Sequence, residues 1–130
     1  MKTILIVDDD NQYRGMLLEA LDIKRFRLLS ASNGSQALKI FREQTPDLVI
    51  SDIIMPEKDG LEAIKEMKKI APDVKIIAIS GGGIGSAELY LDTARKFGAD
   101  YTFQKPLIVY DLLYAVASLM QELPPTPGTV

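Results

Sequence analysis

The stretch Asp47-Leu48-Val49-Ile50-Ser51-Asp52-Ile53-Ile54-Met55-Pro56-Glu57-Lys58-Asp59-Gly60 contains an apolar run of strand length, Leu48 to Ser51. The run ends on a carboxylate and passes into a segment punctuated by proline and glycine. The pattern predicts a short buried strand that delivers Asp52 to the mouth of a loop. Pro56 and Gly60 then set turns through fixed or positive φ. An acid at a strand end is common, so its meaning depends on what other strand ends bring beside it.

Upstream, Thr3 to Val7 is a mostly β-branched, apolar run, the pattern of a strand buried on both faces, and it stops at Asp8-Asp9-Asp10. The period then changes: Tyr13, Met16, Leu17, Ala20 and Leu21 fall on one helical stripe. Arg27 to Ala31 is a second short strand, Asn33-Gly34 a turn, and Ala37, Leu38, Ile40 and Phe41 mark a helix that stops before Pro46. Downstream of Gly60, the residues Leu61, Ile64, Met67, Lys68 and Ile70 give a helix ending at Pro72. Lys75 to Ser80 is a fourth strand closed by Gly81-Gly82-Gly83. A helix follows from about Ser86 to Phe97, stopped by Gly98. Tyr101 to Gln104 is a fifth strand ending at Lys105-Pro106. The last helix, Ile108 to about Gln121, is apolar around much of its circumference.

Five strand-then-helix units in 130 residues call for one domain, a doubly wound parallel sheet with helices on both faces. We assign residues 1–121 to that domain. Residues 122–130, with three prolines, read as a flexible tail or linker stub. Ligands of such sheets bind outside the carboxyl ends of the strands, where strand order reverses. Asp8 and Asp9 end the first strand, Asp52 the third, Ser80 the fourth and Lys105 the fifth, so all five emerge at one rim.

Composition narrows what that rim can do. The net charge is −3 and the pI about 4.9, the wrong sign for a duplex-binding face, so no direct nucleic-acid partner is expected. The chain has neither cysteine nor histidine. That removes disulfides, thiolate and Ser-His nucleophiles, and any metal held by sulfur or imidazole. The run Ile4 to Val7 is too short for a signal-peptide core, and Leu107 to Met120, interrupted by Asp111, is too short to cross a bilayer. A cytoplasmic protein without membrane contact is expected.

Three carboxylates within a few ångströms repel one another unless a cation joins them. Lys105 supplies one charge. An all-oxygen acidic site suits Mg²⁺, which joins carboxylates to phosphate oxygens while keeping several waters. A carboxylate can also act as a nucleophile and form an aspartyl phosphate. The combination points to phosphoryl transfer onto Asp52, with the ion and Lys105 taking up charge on the phosphoryl oxygens. Taken singly, each residue has a plainer use: Asp8 to Asp10 as a helix cap, Asp52 as a solvated turn acid, Ser80 as turn chemistry, Lys105 as a surface lysine. Their joint occurrence at matched strand ends favours the site.

Up to about Gln121 the chain resembles a receiver domain of the two-component response regulators, similar to the single-domain chemotaxis-type regulators. The residues that carry the resemblance are Ile4-Leu5-Ile6-Val7-Asp8-Asp9-Asp10, Asp52-Ile53-Ile54-Met55-Pro56 with Asp59-Gly60, Ile79-Ser80-Gly81 and Lys105-Pro106. The resemblance implies a flavodoxin-like strand order, 2-1-3-4-5. It implies that Asp52 takes a phosphoryl group from the phosphohistidine of a sensor histidine kinase or phosphotransfer protein. Asp9, Asp52 and the Ile54 carbonyl would hold Mg²⁺, with Asp8 acting through water. Ser80 would grip the phosphoryl group, Lys105 would bridge to it, and the Lys105-Pro106 peptide would be cis. The domain would be a switch rather than an enzyme, catalysing only its own phosphorylation and dephosphorylation. Its output would be a shift at the face formed by the fourth helix, fifth strand and fifth helix. That face would meet an effector or output domain, or a second copy through Tyr110, Leu113, Tyr114 and Ala117.

Two departures from the family pattern stand out. The position three before the lysine, usually aromatic, is Thr102; Tyr101 beside it should point to the opposite face. The Gly81-Gly82-Gly83-Ile84-Gly85 loop is unusually glycine-rich and should be mobile. The side chains two beyond Asp52 and Ser80 are Ile54 and Gly82, and neither can hydrogen-bond a hydrolytic water, so slow self-dephosphorylation is expected. Two rival readings exist. Asp8-Asp9-Asp10 also fits the opening of haloacid-dehalogenase-type phosphatases, against which stand Gln12 and a lysine where a late acidic pair is needed. The other rival is a receiver-like module that is never phosphorylated.

Overall fold

The computed structural model describes residues 1–22, 25–54, 60–81 and 87–121. Strands and helices alternate strictly: β1 (Lys2–Val7), α1 (Asn11–Leu21), β2 (Phe26–Ala31), α2 (Gly34–Gln44), β3 (Leu48–Asp52), α3 (Gly60–Ile70), β4 (Lys75–Ser80), α4 (Ala87–Lys96), β5 (Tyr101–Gln104) and α5 (Val109–Met120). The strands form one parallel sheet in the order β2-β1-β3-β4-β5. This is the doubly wound, flavodoxin-like arrangement expected from the sequence.

The continuous apolar strands are explained by two core layers that use alternate residues. Leu5, Val7, Val49, Ile76 and Ala78 face a cluster completed by α2, α3 and α4, through Ala37, Leu38, Phe41, Ile64, Met67, Leu91 and Ala94. Ile4, Ile6, Leu48, Ile50, Ile77 and Ile79 face the other side, against Leu17 and Leu21 of α1 and Leu112, Ala115, Val116 and Met120 of α5. With helices on both faces, no residue of the central strands can be polar without cost, and the period-two pattern disappears from the sequence. Strand order reverses between β1 and β3. Register aligns Val7 with Ala31 and with Ser51, and Asp52 with Ile79, so the carboxyl ends of the central strands finish level with one another.

Local chemistry sets the helix ends. The Asp10 side chain caps α1 by accepting the amides of Gln12 and Tyr13. Gly98, at φ +114°, stops α4 as expected, with its amide and that of Ala99 closing onto Arg95 and Ala94 carbonyls. Two expectations are corrected. Asn33-Gly34 is not a free turn: Asn33 is the N-cap of α2, accepting the Gln36 amide at 2.8 Å, and Gly34 is already helical. Gly60 does not supply a positive φ; it is the first residue of α3. A Cβ there would stand 2.4 Å from the Asp52 carbonyl oxygen and 2.5 Å from the Ile53 Cα. The glycine is needed for close approach of α3 to the end of β3. The Pro56 turn, the Gly82–Gly85 loop, Ser86 and the 122–130 tail fall outside the described residues.

Candidate functional site

The first and third strands present their acids differently. Asp8 follows β1 directly, and its amide still donates to the Ala31 carbonyl, 3.1 Å away, which extends the ladder by one residue. Its side chain is 1% exposed. Oδ1 accepts the Asp10 amide at 2.9 Å, and the Asp8 carbonyl accepts Arg14 Nη1 at 2.6 Å. Asp9 is exposed and has no hydrogen-bonded or ionic partner among the described residues. The three consecutive aspartates therefore divide their labour: Asp10 caps, Asp8 is built into the rim, and Asp9 faces solvent at its edge.

Asp52 is the last residue of β3 and is buried. Beyond it the Ile53 amide donates to the Ile79 carbonyl at 3.0 Å, so the backbone stays pinned to β4 while the side chain turns into the rim. Oδ1 accepts the Ile54 amide at 2.9 Å. Lys105 is positioned from the opposite edge: its amide donates to the Ser80 carbonyl at 2.9 Å, and its peptide to Pro106 is cis, as the resemblance implied. Its Nζ lies 3.0 Å from Asp8 Oδ2 and 3.1 Å from Asp52 Oδ2. Ser80, fully buried, ends β4 beside them. One carboxylate oxygen from each of Asp8, Asp9 and Asp52 lies within 4.8 Å of the others. The rim thus gathers Asp8, Asp9, Asp52 and Lys105 into one group, with the amide of Ile54 holding Asp52 and the carbonyl of Ser80 holding the Lys105 backbone.

The electrostatics follow from burial and from the charges present. Asp8 and Asp52 share the Lys105 ammonium, and Asp9 adds a third carboxylate close by. Burial pushes the Asp52 carboxyl up from its usual value, and this outweighs the Ile54 amide and the Lys105 charge that favour ionisation. For Lys105, burial works against the charged form, but the hydrogen bond to Asp8 and the charge of Asp52 prevail and the pKa is raised. The two directions agree physically: the cation is well satisfied by two carboxylates, while burial leaves Asp52 incompletely compensated. With oxygen donors only, this cluster fits a hard divalent cation.

Two features were not legible as site residues. Tyr13, one of the α1 stripe residues, packs partly against the core, yet its ring centroid lies 4.2 Å from Lys105 Nζ. Its position four residues beyond Asp9, on the first turn of the helix that leaves the rim, is the signal that could have flagged it. Thr102 accepts Arg95 Nη2 of α4 at 2.6 Å, and Arg95 also pairs with Asp92. Tyr101 does face the other way: its ring stacks with that of Phe103, and its hydroxyl lies 3.4 Å from Ser118 Oγ of α5.

Carboxylates at adjoining central strand ends and a lysine leaving β5 are the hallmarks of the receiver class, and the chain belongs to the response regulator receiver domain family, whose model matches residues 4–117. Among characterised relatives, it is similar to the chemotaxis protein CheY of Halobacterium salinarum, with 35% identity over 92% of this chain and 97% of the relative. It is also similar to CheY of Bacillus subtilis, with 38% identity over 75% of this chain and 81% of the relative. The solved response regulator receiver domain protein of Clostridium thermocellum superposes with a TM-score of 0.85 at 30% identity, over 93% of this chain and 95% of that one. The phosphatase reading gives way to this family assignment. No helix among the described residues is long and apolar enough to cross a membrane.

Proposed function

We propose that the protein is a cytoplasmic two-component signalling switch in which Asp52 is the phosphoacceptor. An oxygen of the Asp52 carboxylate bonds to phosphorus as the P–N bond of a partner's phosphohistidine breaks, and the electron pair leaves on the imidazole nitrogen. The partner is a sensor histidine kinase or a phosphotransfer protein. The observation that carries this reading is the placement of Lys105 Nζ against both Asp8 and Asp52, with Asp9 completing an oxygen cluster.

Asp9, Asp52 and the Ile54 carbonyl are the groups that would hold Mg²⁺, with Asp8 acting through water. When bound, the ion supplies neutralisation of charge on the phosphoryl oxygens. Lys105 then moves from the Asp52 carboxylate to a phosphoryl oxygen while keeping Asp8. Ser80 donates its hydroxyl to another phosphoryl oxygen and draws the end of β4 towards Asp52. The domain turns over no separate substrate.

The output is a population shift at α4, β5 and α5, read by an effector, an output domain or a second copy. Leu89, Tyr90, Tyr101 and Tyr114 are exposed there, whereas Ala117 is core and Leu113 packs against it. Residues 1–121 form the switch and 122–130 a tail or linker. Incubation with acetyl phosphate and Mg²⁺ followed by intact mass tests the reading: one phosphoryl adduct on the wild type and none on Asp52→Asn. Absence of the adduct on the wild type refutes it. Size-exclusion chromatography with and without acetyl phosphate tests self-association.

A further inference from the structure

The contacts of Tyr13 close a circuit around the lysine. Asp8 Oδ1 accepts the Asp10 amide, Asp10 Oδ1 accepts the Tyr13 amide, and the Tyr13 ring lies against Lys105 Nζ. The ammonium then returns to Asp8 through Oδ2. The ring centroid at 4.2 Å is well inside the roughly 6 Å reach of a cation–π contact. Lysine carries four flexible bonds and a compact charge that binds without directional preference. Two carboxylates alone leave such a group free to swing between them.

We propose that Tyr13 is a positioning residue for phosphoryl transfer, whose ring holds the Lys105 ammonium at the rim while its contact with Asp52 is exchanged for one with the phosphoryl group. The inference rests on the phosphoacceptor reading above. Of the three groups around Nζ among the described residues, only Asp52 changes chemically in the reaction, so Asp8 and Tyr13 are the fixed supports. The ring also keeps water from that side of the cation, which strengthens its interaction with developing negative charge. The hydroxyl plays no part in the support: Tyr13 Oη is buried and without a hydrogen-bond partner among the described residues. An aromatic ring is therefore the requirement, and phenylalanine meets it.

The test compares wild type, Tyr13→Phe and Tyr13→Leu for the rate of adduct formation from acetyl phosphate in Mg²⁺, each also in a Lys105→Ala background. Loss of the ring is expected to slow transfer by about threefold to tenfold, the range of a partly desolvated cation–π contact. Phenylalanine is expected to restore the rate. In the Lys105→Ala background the leucine substitution should cost nothing further, since coupled residues are non-additive. A second readout needs no chemistry: the Lys105 Cε protons should be shifted upfield by the ring in wild type and Tyr13→Phe, and not in Tyr13→Leu.

The inference is overturned if Tyr13→Leu transfers at the wild-type rate, if it slows transfer equally without Lys105, or if the lysine protons show no ring shift. Should the leucine variant not fold, Tyr13→Met takes its place. If the wild type forms no adduct, the phosphoacceptor reading fails by itself, and the proton shifts still decide whether the ring holds the lysine.

Discussion

Lys105 Nζ and Asp52 Oδ2 stand 3.1 Å apart at the carboxyl edge of the sheet, yet the two partners are not equally served by the contact. The lysine is favoured in its charged form, and the aspartate is not. The reason is first burial, which disfavours the Asp52 carboxylate more than its partners favour it. The same ammonium also serves Asp8.

Removing the two partners should therefore change stability in opposite directions. Asp52→Asn takes away a buried charge that lacks full compensation, and is expected to raise the melting temperature without divalent ions. Lys105→Ala leaves two buried carboxylates facing each other and should cost about 1.5–3 kcal/mol, the scale of a lost hydrogen bond to charged groups. Urea melts of the three proteins in chelator at neutral pH check both signs.

The pH dependence has a sign of its own. The folded pKa of Asp52 lies above its ordinary 3.8, so the folded state binds this proton more tightly than the unfolded chain does. Stability contributed by this group is present at low pH and is lost as pH rises through the folded value. The advantage of Asp52→Asn should thus be small in acid and grow as pH rises through that window. Lys105, raised from 10.5, contributes stability below that value and loses it as pH climbs through the folded pKa. A stability difference between wild type and Asp52→Asn that shrank with rising pH in the acid range would contradict this account.

Much of this architecture is legible in the sequence because burial on two faces leaves unbroken apolar runs. Lys75–Ser80 and Tyr101–Gln104 match the expected strands, and Leu48–Asp52 differs by the one residue that matters, Asp52 itself. The acids and the lysine could be assigned to one rim because parallel topology forces every strand to end on the same side. What could not be read depends on segments meeting in space. The bar to a side chain at Gly60 is the Asp52 carbonyl oxygen and the Ile53 Cα. Tyr13 looks like any stripe residue until Lys105 arrives from 92 positions away. Thr102, where the family pattern has an aromatic residue, accepts a hydrogen bond from Arg95 of the neighbouring helix.

Asp9 offers the cleanest test of the metal. It is exposed and makes no polar contact with the described residues, yet its carboxylate lies within 4.8 Å of those of Asp8 and Asp52. Asp9→Asn should therefore not lower the melting temperature in chelator and should raise it slightly through relief of repulsion. Wild type should be stabilised by Mg²⁺ by about 1.4 kcal/mol when the ion is tenfold above its dissociation constant, and the variant should lose most of that shift. Melts with and without MgCl₂ measure it. Equal Mg²⁺ stabilisation of both proteins would remove Asp9 from the ligand set.

Gly60 and Gly15 make a matched pair for the packing argument. At Gly60 a Cβ would meet backbone atoms at 2.4 and 2.5 Å, which cannot move without shifting the end of β3. Gly60→Ala should cost about 1–3 kcal/mol, the usual cost of overpacking, and should also slow Asp52 phosphorylation. Gly15, within α1, has nothing within 4 Å of the added atom. Gly15→Ala should instead stabilise by about 0.5–1 kcal/mol through helix propensity. Denaturant melts and adduct formation report on each.

Ile54 bears on how long the signal lasts. Its amide fixes Asp52 Oδ1 at 2.9 Å, while its side chain, on a residue 39% exposed, sits beside the proposed acceptor with no atom able to orient water. Hydrolysis of the aspartyl phosphate needs an in-line water, and placing one is where a neighbouring polar side chain gains its effect. The phosphorylated protein is therefore expected to persist for hours once acetyl phosphate is removed. Ile54→Asn, which keeps the backbone amide and adds a hydrogen-bonding group, should shorten that lifetime by about tenfold, within the range expected of a positioned polar group. Intact mass followed over time after desalting into Mg²⁺ buffer gives both decays; a wild-type half-life of seconds would show that water is positioned by some other group.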